Sequence, residues 1–163
     1  MSLLNDIKQK IVTQSELNDK LGEWRIAGNR VVFTNGCFDI LHRGHIEYLA
    51  EAAGLGNRLV IGLNADESVQ LLNKGEGRPI QDESSRALTL AALSFVSAIV
   101  LFREETPLEL IKQVQPDVLV KGGDWKAEEI IGAEHAKEVK VIPFVAGYST
   151  TAIEQRIAKA QSK

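Results

Sequence analysis

Short apolar runs alternate with stretches of helical spacing along most of this chain, and that alternation constrains the fold more than any other feature. The apolar runs fall at about 30–35, 58–64, 98–102, 118–121 and 139–144. Helical patterns occupy about 44–54, 65–72, 82–93 and 106–114, helical turns fill 126–138, and a last helix runs from about Thr150 to Lys159. Runs such as Val31-Val32-Phe33 and Val118-Leu119-Val120 are continuously apolar, as strands buried on both faces are. Strands that alternate with helices predict an α/β fold with a parallel sheet covered on both sides. Pro107 suits the first turn of a helix, where its missing N–H costs nothing. Ser15, Asn18 and Asp19 open an N-terminal helix ending near Gly28, so residues 1–29 read as a helical extension and 30–163 as the main domain.

The segment Thr34-Asn35-Gly36-Cys37-Phe38-Asp39-Ile40-Leu41-His42-Arg43-Gly44-His45 sits where the first long strand turns into a helix. Free backbone N–H groups and the positive end of the helix dipole gather at such a turn, which suits phosphate. Gly44 admits a close approach to the backbone. His42 and His45, three residues apart, share one side of the first helical turn. Imidazoles beside an anion hole stabilise the charge that builds on a phosphoryl group under attack. A metal site is the competing reading for two histidines. Arg43 between them, and the lack of a nearby cysteine or carboxylate cluster, weigh against it.

The chain has 163 residues, room for one domain with a substantial core. Its formal charge of −3 argues against a nucleic-acid binder held by bulk charge, but not against a mononucleotide, which needs only a local positive pocket. No apolar run approaches a membrane span, and the first residues do not read as a signal peptide. A single cysteine, Cys37, excludes an internal disulfide and leads to the expectation of a cytoplasmic protein.

His42-Arg43-Gly44-His45 resembles the H-x-G-H signature of the nucleotidyltransferase superfamily that includes the cytidylyltransferases. The wider wording TNGCFDILHRGHIEYL resembles one branch more closely, the adenylyltransferase domain of bacterial ADP-heptose synthesis. Three later segments agree: GEGRPIQDESSR (75–86), PDVLVKGGDW (116–125) and GYSTTAI (147–153). The resemblance runs from about Arg30 to Ile157. It implies a doubly wound, Rossmann-like parallel sheet of five strands in the order 3-2-1-4-5, with helices on both faces. Strands one and four would then be neighbours at the switch point, where such sheets bind ligands.

The resemblance implies transfer of AMP from ATP to a heptose 1-phosphate, with release of pyrophosphate. The alternatives are a cytidylyltransferase acting on glycerol 3-phosphate or a similar acceptor, and a non-catalytic nucleotide-binding module. Catalytic roles fall to His42, His45, Lys74 and Arg86. Thr34, Asn35, Gly36, Phe38 and Gly44 would border the nucleotide from the first strand and its turn. Gly122 and Asp124 would do so after the fourth strand, and Ser149, Thr150 and Thr151 at the last helix. Ser149 also reads as an ordinary helix cap, and the two roles are compatible. Asp39 and Arg78 are assigned to the acceptor, although Asp39 could equally cap the helix after the histidine turn. Lys121 faces either the site or solvent. Superfamily members commonly end the last motif with a basic residue, whereas here Ile153 is followed by Glu154.

Mg²⁺ accompanying ATP is expected to be held by substrate phosphates rather than by a protein ligand set. The expected partners are ATP, a sugar 1-phosphate and a separate sugar kinase, with a homodimer open and neither nucleic acid nor membrane involved. The glycine-rich, charged loop at 73–79 reads as a mobile cover.

Overall fold

The computed structural model describes residues 2–162. Its elements run α1 Leu3–Lys8, β1 Ile11–Val12, α2 Gln14–Ile26, β2 Val31–Gly36, α3 Arg43–Ala53, β3 Arg58–Asn64, α4 Asp66–Leu71, α5 Glu83–Ala91, β4 Ala98–Phe102, α6 Leu108–Val114, β5 Val118–Gly122, β6 Glu138–Ile142 and α7 Thr150–Gln161. Two short 3₁₀ turns, Ala127–Glu129 and Ala133–His135, lie between β5 and β6. Among the described residues no helix is long and apolar enough to cross a membrane.

All strand pairings are parallel, in the order β1-β4-β3-β2-β5-β6. The five longer strands have the expected order, with β2 between β3 and β5 at the switch point. The sheet has six strands rather than five, because Ile11 and Val12 pair with Ile99 and Val100 along the outer edge of β4. A two-residue strand is too short to show a periodic pattern, so it escapes a reading based on spacing.

The pleat sorts neighbouring residues onto opposite faces. Val32, Leu59, Ile61, Leu63 and Val120 pack against Tyr48, Leu49 and Ala52 of α3 and Ala87, Leu90 and Ala91 of α5. Val31, Phe33, Val60, Val100 and Leu119 pack on the other side against Leu17 and Leu21 of α2 and Leu110, Ile111 and Val114 of α6. Helix α2 begins two residues earlier than its serine suggests. Thr13 caps it, with its hydroxyl accepting from the Glu16 N–H while the Glu16 carboxylate accepts from the Thr13 N–H, a capping box.

Because Leu17 is fully enclosed while Ile26 on the same helix is 91% exposed, the two positions should respond differently to truncation. Leu17→Ala is expected to cost about 2–5 kcal/mol. Ile26→Ala should stay within about 0.5 kcal/mol. Urea-melt midpoints for the two variants check this. A small loss at Leu17 would mean that α2 contributes little to the core.

Candidate active site

β2 ends at Gly36, and the chain turns through Cys37–His42 into α3. The turn is tightly packed. A Cβ on Gly36 would lie 2.8 Å from the Phe38 ring, so a larger residue there would have to displace that ring. Phe38 itself takes a positive φ of 45°, uncommon outside glycine, and its ring meets His45 edge-on at 5.2 Å. The imidazoles of His42 and His45 stack 3.8 Å apart, inclined by 19°. A Cβ on Gly44 would come within 3.1 Å of both the His42 ring and Tyr148, so this glycine makes room for those protein neighbours.

Both histidines are held neutral. Burial lowers the His42 pKa, and burial followed by the nearby His42 takes His45 down to about 4. The Nδ1 atoms of both rings are buried without a hydrogen-bond partner. An unsatisfied buried polar atom costs about 1–3 kcal/mol, which a ligand oxygen within reach would recover.

These rings line a cavity of about 540 Å³ at the carboxyl ends of β2 and β5, of the size that takes a small ligand. Asn35, Gly36, Phe38 and Asp39 form one wall, and Gly122 and Lys121 at the end of β5 form another. Ser149, Thr150 and Thr151 present the start of α7 across it. The Ser149 hydroxyl accepts from the Ala152 N–H at 3.0 Å, which leaves other first-turn N–H groups for an anion. Lys74 and Arg78 close the side nearest the 73–81 loop.

Residues 33–156 match the cytidylyltransferase-like family. The chain belongs to that family. It is 48% identical over 150 residues to the bifunctional protein HldE of Wolinella succinogenes, covering 92% of this chain and 31% of that protein. It is 56% identical over 130 residues to the bifunctional protein HldE of Nitratiruptor sp., covering 80% and 28%. The chain thus spans about a third of the length of these curated relatives. The crystal structure of a lipopolysaccharide core biosynthesis protein from Thermoplasma volcanium has a TM-score of 0.61 with 32% identity, over 72% of this chain and 98% of that one.

Within this cytidylyltransferase-like site, most of the anticipated residues meet, and three do not. Arg86 is only 1% exposed and does not line the cavity. Its guanidinium donates to the Gln81, Cys37 and Asn64 carbonyls at 2.9, 2.7 and 2.8 Å and to Asp66 Oδ1 at 2.7 Å. It is a strut beneath the site, since these acceptors engage every nitrogen of the guanidinium. Thr34 is fully buried, and its hydroxyl lies 2.6 Å from the Tyr48 hydroxyl, beneath the cavity floor. Asp124 is exposed and outside the lining.

Asp39 does not cap α3. The residue at that helix's N-cap is His42, which makes no side-chain cap. The Asp39 carboxylate instead accepts from the Ile80 and Gln81 N–H groups at 2.9 Å and from Arg78 Nη1 at 3.1 Å. Burial pushes its pKa up, but those donors outweigh burial and hold it below the usual carboxylate value. The far end of the glycine-rich loop, expected as a mobile cover, is therefore anchored to the turn after β2.

Lys121 is the residue that spacing left undecided. It lines the cavity, and burial followed by the charge of Lys74 lowers its pKa. Phe144 and Tyr148 also border the cavity. A Cβ on Gly122 would sit 2.6 Å from the Phe144 ring, so the glycine lets that aromatic approach the end of β5 closely. Lys121's position at a strand end beside Gly122-Gly123 was the available signal. Tyr148 lies within the GYSTTAI segment without being singled out there, and Phe144 carries no comparable mark in sequence.

Two measurements follow from these bonds. Arg86→Leu should cost about 3–5 kcal/mol, because it strands buried acceptors and removes the guanidinium they hold. A loss below about 1 kcal/mol in denaturant melts would refute the strut. For Asp39, a pKa lowered by folding means its stabilisation is complete above the unfolded value of about 3.9 and is lost as pH falls through the lower folded value. Protection of the Ile80 and Gln81 amides in hydrogen exchange, corrected for intrinsic rates, should stay level from about pH 8 to 5 and fall only in stronger acid. Asp39→Asn should show weakened protection already at pH 7.

Proposed function

We propose that this domain transfers AMP from ATP to a heptose 1-phosphate, giving ADP-heptose and pyrophosphate. The observation that carries the reading is the stacked, neutral His42–His45 pair at the start of α3, lining one cavity with the start of α7 and with Lys74, Arg78 and Lys121. The heptose assignment rests on the likeness of residues 34–49, 75–86, 116–125 and 147–153 to the ADP-heptose branch, and family membership and the HldE relatives support it.

A sugar-phosphate oxygen attacks the α-phosphorus of ATP in line. A new oxygen–phosphorus bond forms, the bond from the α-phosphorus to the bridging oxygen breaks, and pyrophosphate leaves with that oxygen. The acceptor is already an anion, so no general base is needed. Catalysis then consists of positioning and charge stabilisation. Neutral imidazoles donate N–H to the phosphoryl oxygens without a protonation step. The N–H groups at the start of α7 receive the outer phosphates. Lys74 and Lys121 supply positive charge.

Among the described residues Asp39 is the one carboxylate in the lining, and it already receives three donors, so the donor set fits a Mg²⁺ ion held by phosphate oxygens and water. Such an ion would neutralise charge on the leaving pyrophosphate. The acceptor requires an earlier phosphorylation of the sugar, and the cytoplasm, where ATP is available, is the compartment this chemistry suits.

His42→Ala and His45→Ala should each lower kcat by roughly 10²–10³, as loss of one oxyanion donor does, with melting temperature little changed. Pyrophosphate release assayed across nucleotides and sugar 1-phosphates should favour ATP over CTP. A clear CTP preference with glycerol 3-phosphate would establish the cytidylyltransferase alternative. Nucleotide binding without turnover on any acceptor would make the domain a binding module.

A further inference from the structure

Glu154 is out of place on electrostatic grounds. It lies in the second turn of α7, beyond the helix start that faces the cavity, where a carboxylate would repel phosphate. The structure answers that charge with Arg78. The Arg78 side chain is 13% exposed and donates Nη1 to Asp39 and Nη2 to Glu154, whose own side chain is 39% exposed. Asp39 is 5% exposed and fixed by two backbone N–H groups, so it is the rigid partner; Glu154 is the accessible one. One guanidinium thus joins the turn after β2, the loop at 73–81 and helix α7, and it does so while lining the cavity with Lys74 and His42.

We propose that Glu154 is a positioning residue: through Arg78 it clamps the 73–81 loop onto α7 and aims the guanidinium at the acceptor's phosphate, without touching either substrate. Asp39 alone fixes one edge of the planar fork and leaves rotation about that edge open. A second carboxylate on a different element fixes the plane, and a fixed fork is what recognition of a phosphate by arginine needs. Each carboxylate engages one terminal nitrogen, so three of the five guanidinium N–H groups stay available to a phosphate, and Lys74 and Lys121 are the cations without a carboxylate partner in this wall. The role assigned to the acceptor phosphate rests on the proposed transferase reading; the clamp on the loop does not.

The test uses Glu154→Gln, Arg78→Gln and the double variant. Glu154→Gln keeps the side chain's size and removes the charge. It should raise KM for the sugar 1-phosphate about 5- to 10-fold with kcat and the KM for ATP within about twofold, a split that general destabilisation does not produce. In the Arg78→Gln background the same change should add less than about twofold, because the partner is already gone. Trypsin reads the clamp independently of any activity. It cuts after Lys74 but poorly at Arg78, which precedes proline. Cleavage after Lys74 should be several-fold faster in Glu154→Gln than in the parent, and no faster in the double variant than in Arg78→Gln. An unchanged acceptor KM, or a Glu154→Gln effect that persists at full size without Arg78, overturns the positioning role. Unchanged cleavage overturns the clamp. If the parent protein turns over no sugar phosphate, the transferase reading and the acceptor half of the inference fail together, while the trypsin comparison still decides the clamp.

Discussion

The guanidinium of Arg86 is the bond on which the site's geometry depends. It is buried, and its hydrogen bonds gather the carbonyl after β2, the carbonyl ending β3, the carbonyl of Gln81 before α5 and the Asp66 carboxylate at the start of α4. The ends of two central parallel strands splay by the natural twist of the sheet. A fork with several donors, itself on α5, holds those ends at a fixed separation. The histidine turn begins at Cys37, whose carbonyl Arg86 holds, so its starting point is set by this bond network.

Above that strut, the site separates neutral donors from charged ones. Burial keeps the histidines uncharged, reinforced at His45 by the nearby His42, whereas Lys74, Arg78 and Lys121 carry the positive charge. Neutral N–H donors gain most where charge develops during reaction, because they pay no penalty for a fixed charge in the empty site. Cations attract the substrate from a distance and hold it in the ground state. Lys121, with its pKa lowered by burial and by Lys74, shows the limit of that arrangement: cations packed together without an anion repel, and a polyanion between them would relieve that repulsion.

Much of this was legible in the residues. The alternation of apolar runs and helical spacing marks an α/β sheet. The order of its long strands follows from the resemblance carried by the histidine motif, and the motif also points to the crevice that the sheet topology builds. What stayed hidden has a common cause. Arg86 has the composition of a phosphate ligand, and only the three-dimensional convergence of three carbonyls and a carboxylate turns it into a strut. Thr34 reads as a strand-end hydroxyl, but the pleat turns it inward to Tyr48. Ile11 and Val12 become a strand because the β4 edge is there to receive them. In each case the partner is distant in sequence, and local pattern holds no record of it.

The same reasoning separates the two arginines of one short segment. Arg78 and Arg86 lie eight residues apart, on either side of Asp82, which caps α5 by accepting from the Ser85 N–H. That cap fixes where the helix starts and therefore which arginine turns inward. Arg86, one turn into α5, is carried beneath the strand ends. Arg78, before the cap, stays at the cavity wall between Asp39 and Glu154. A single helix start thus assigns one guanidinium to the scaffold and the other to the cavity wall.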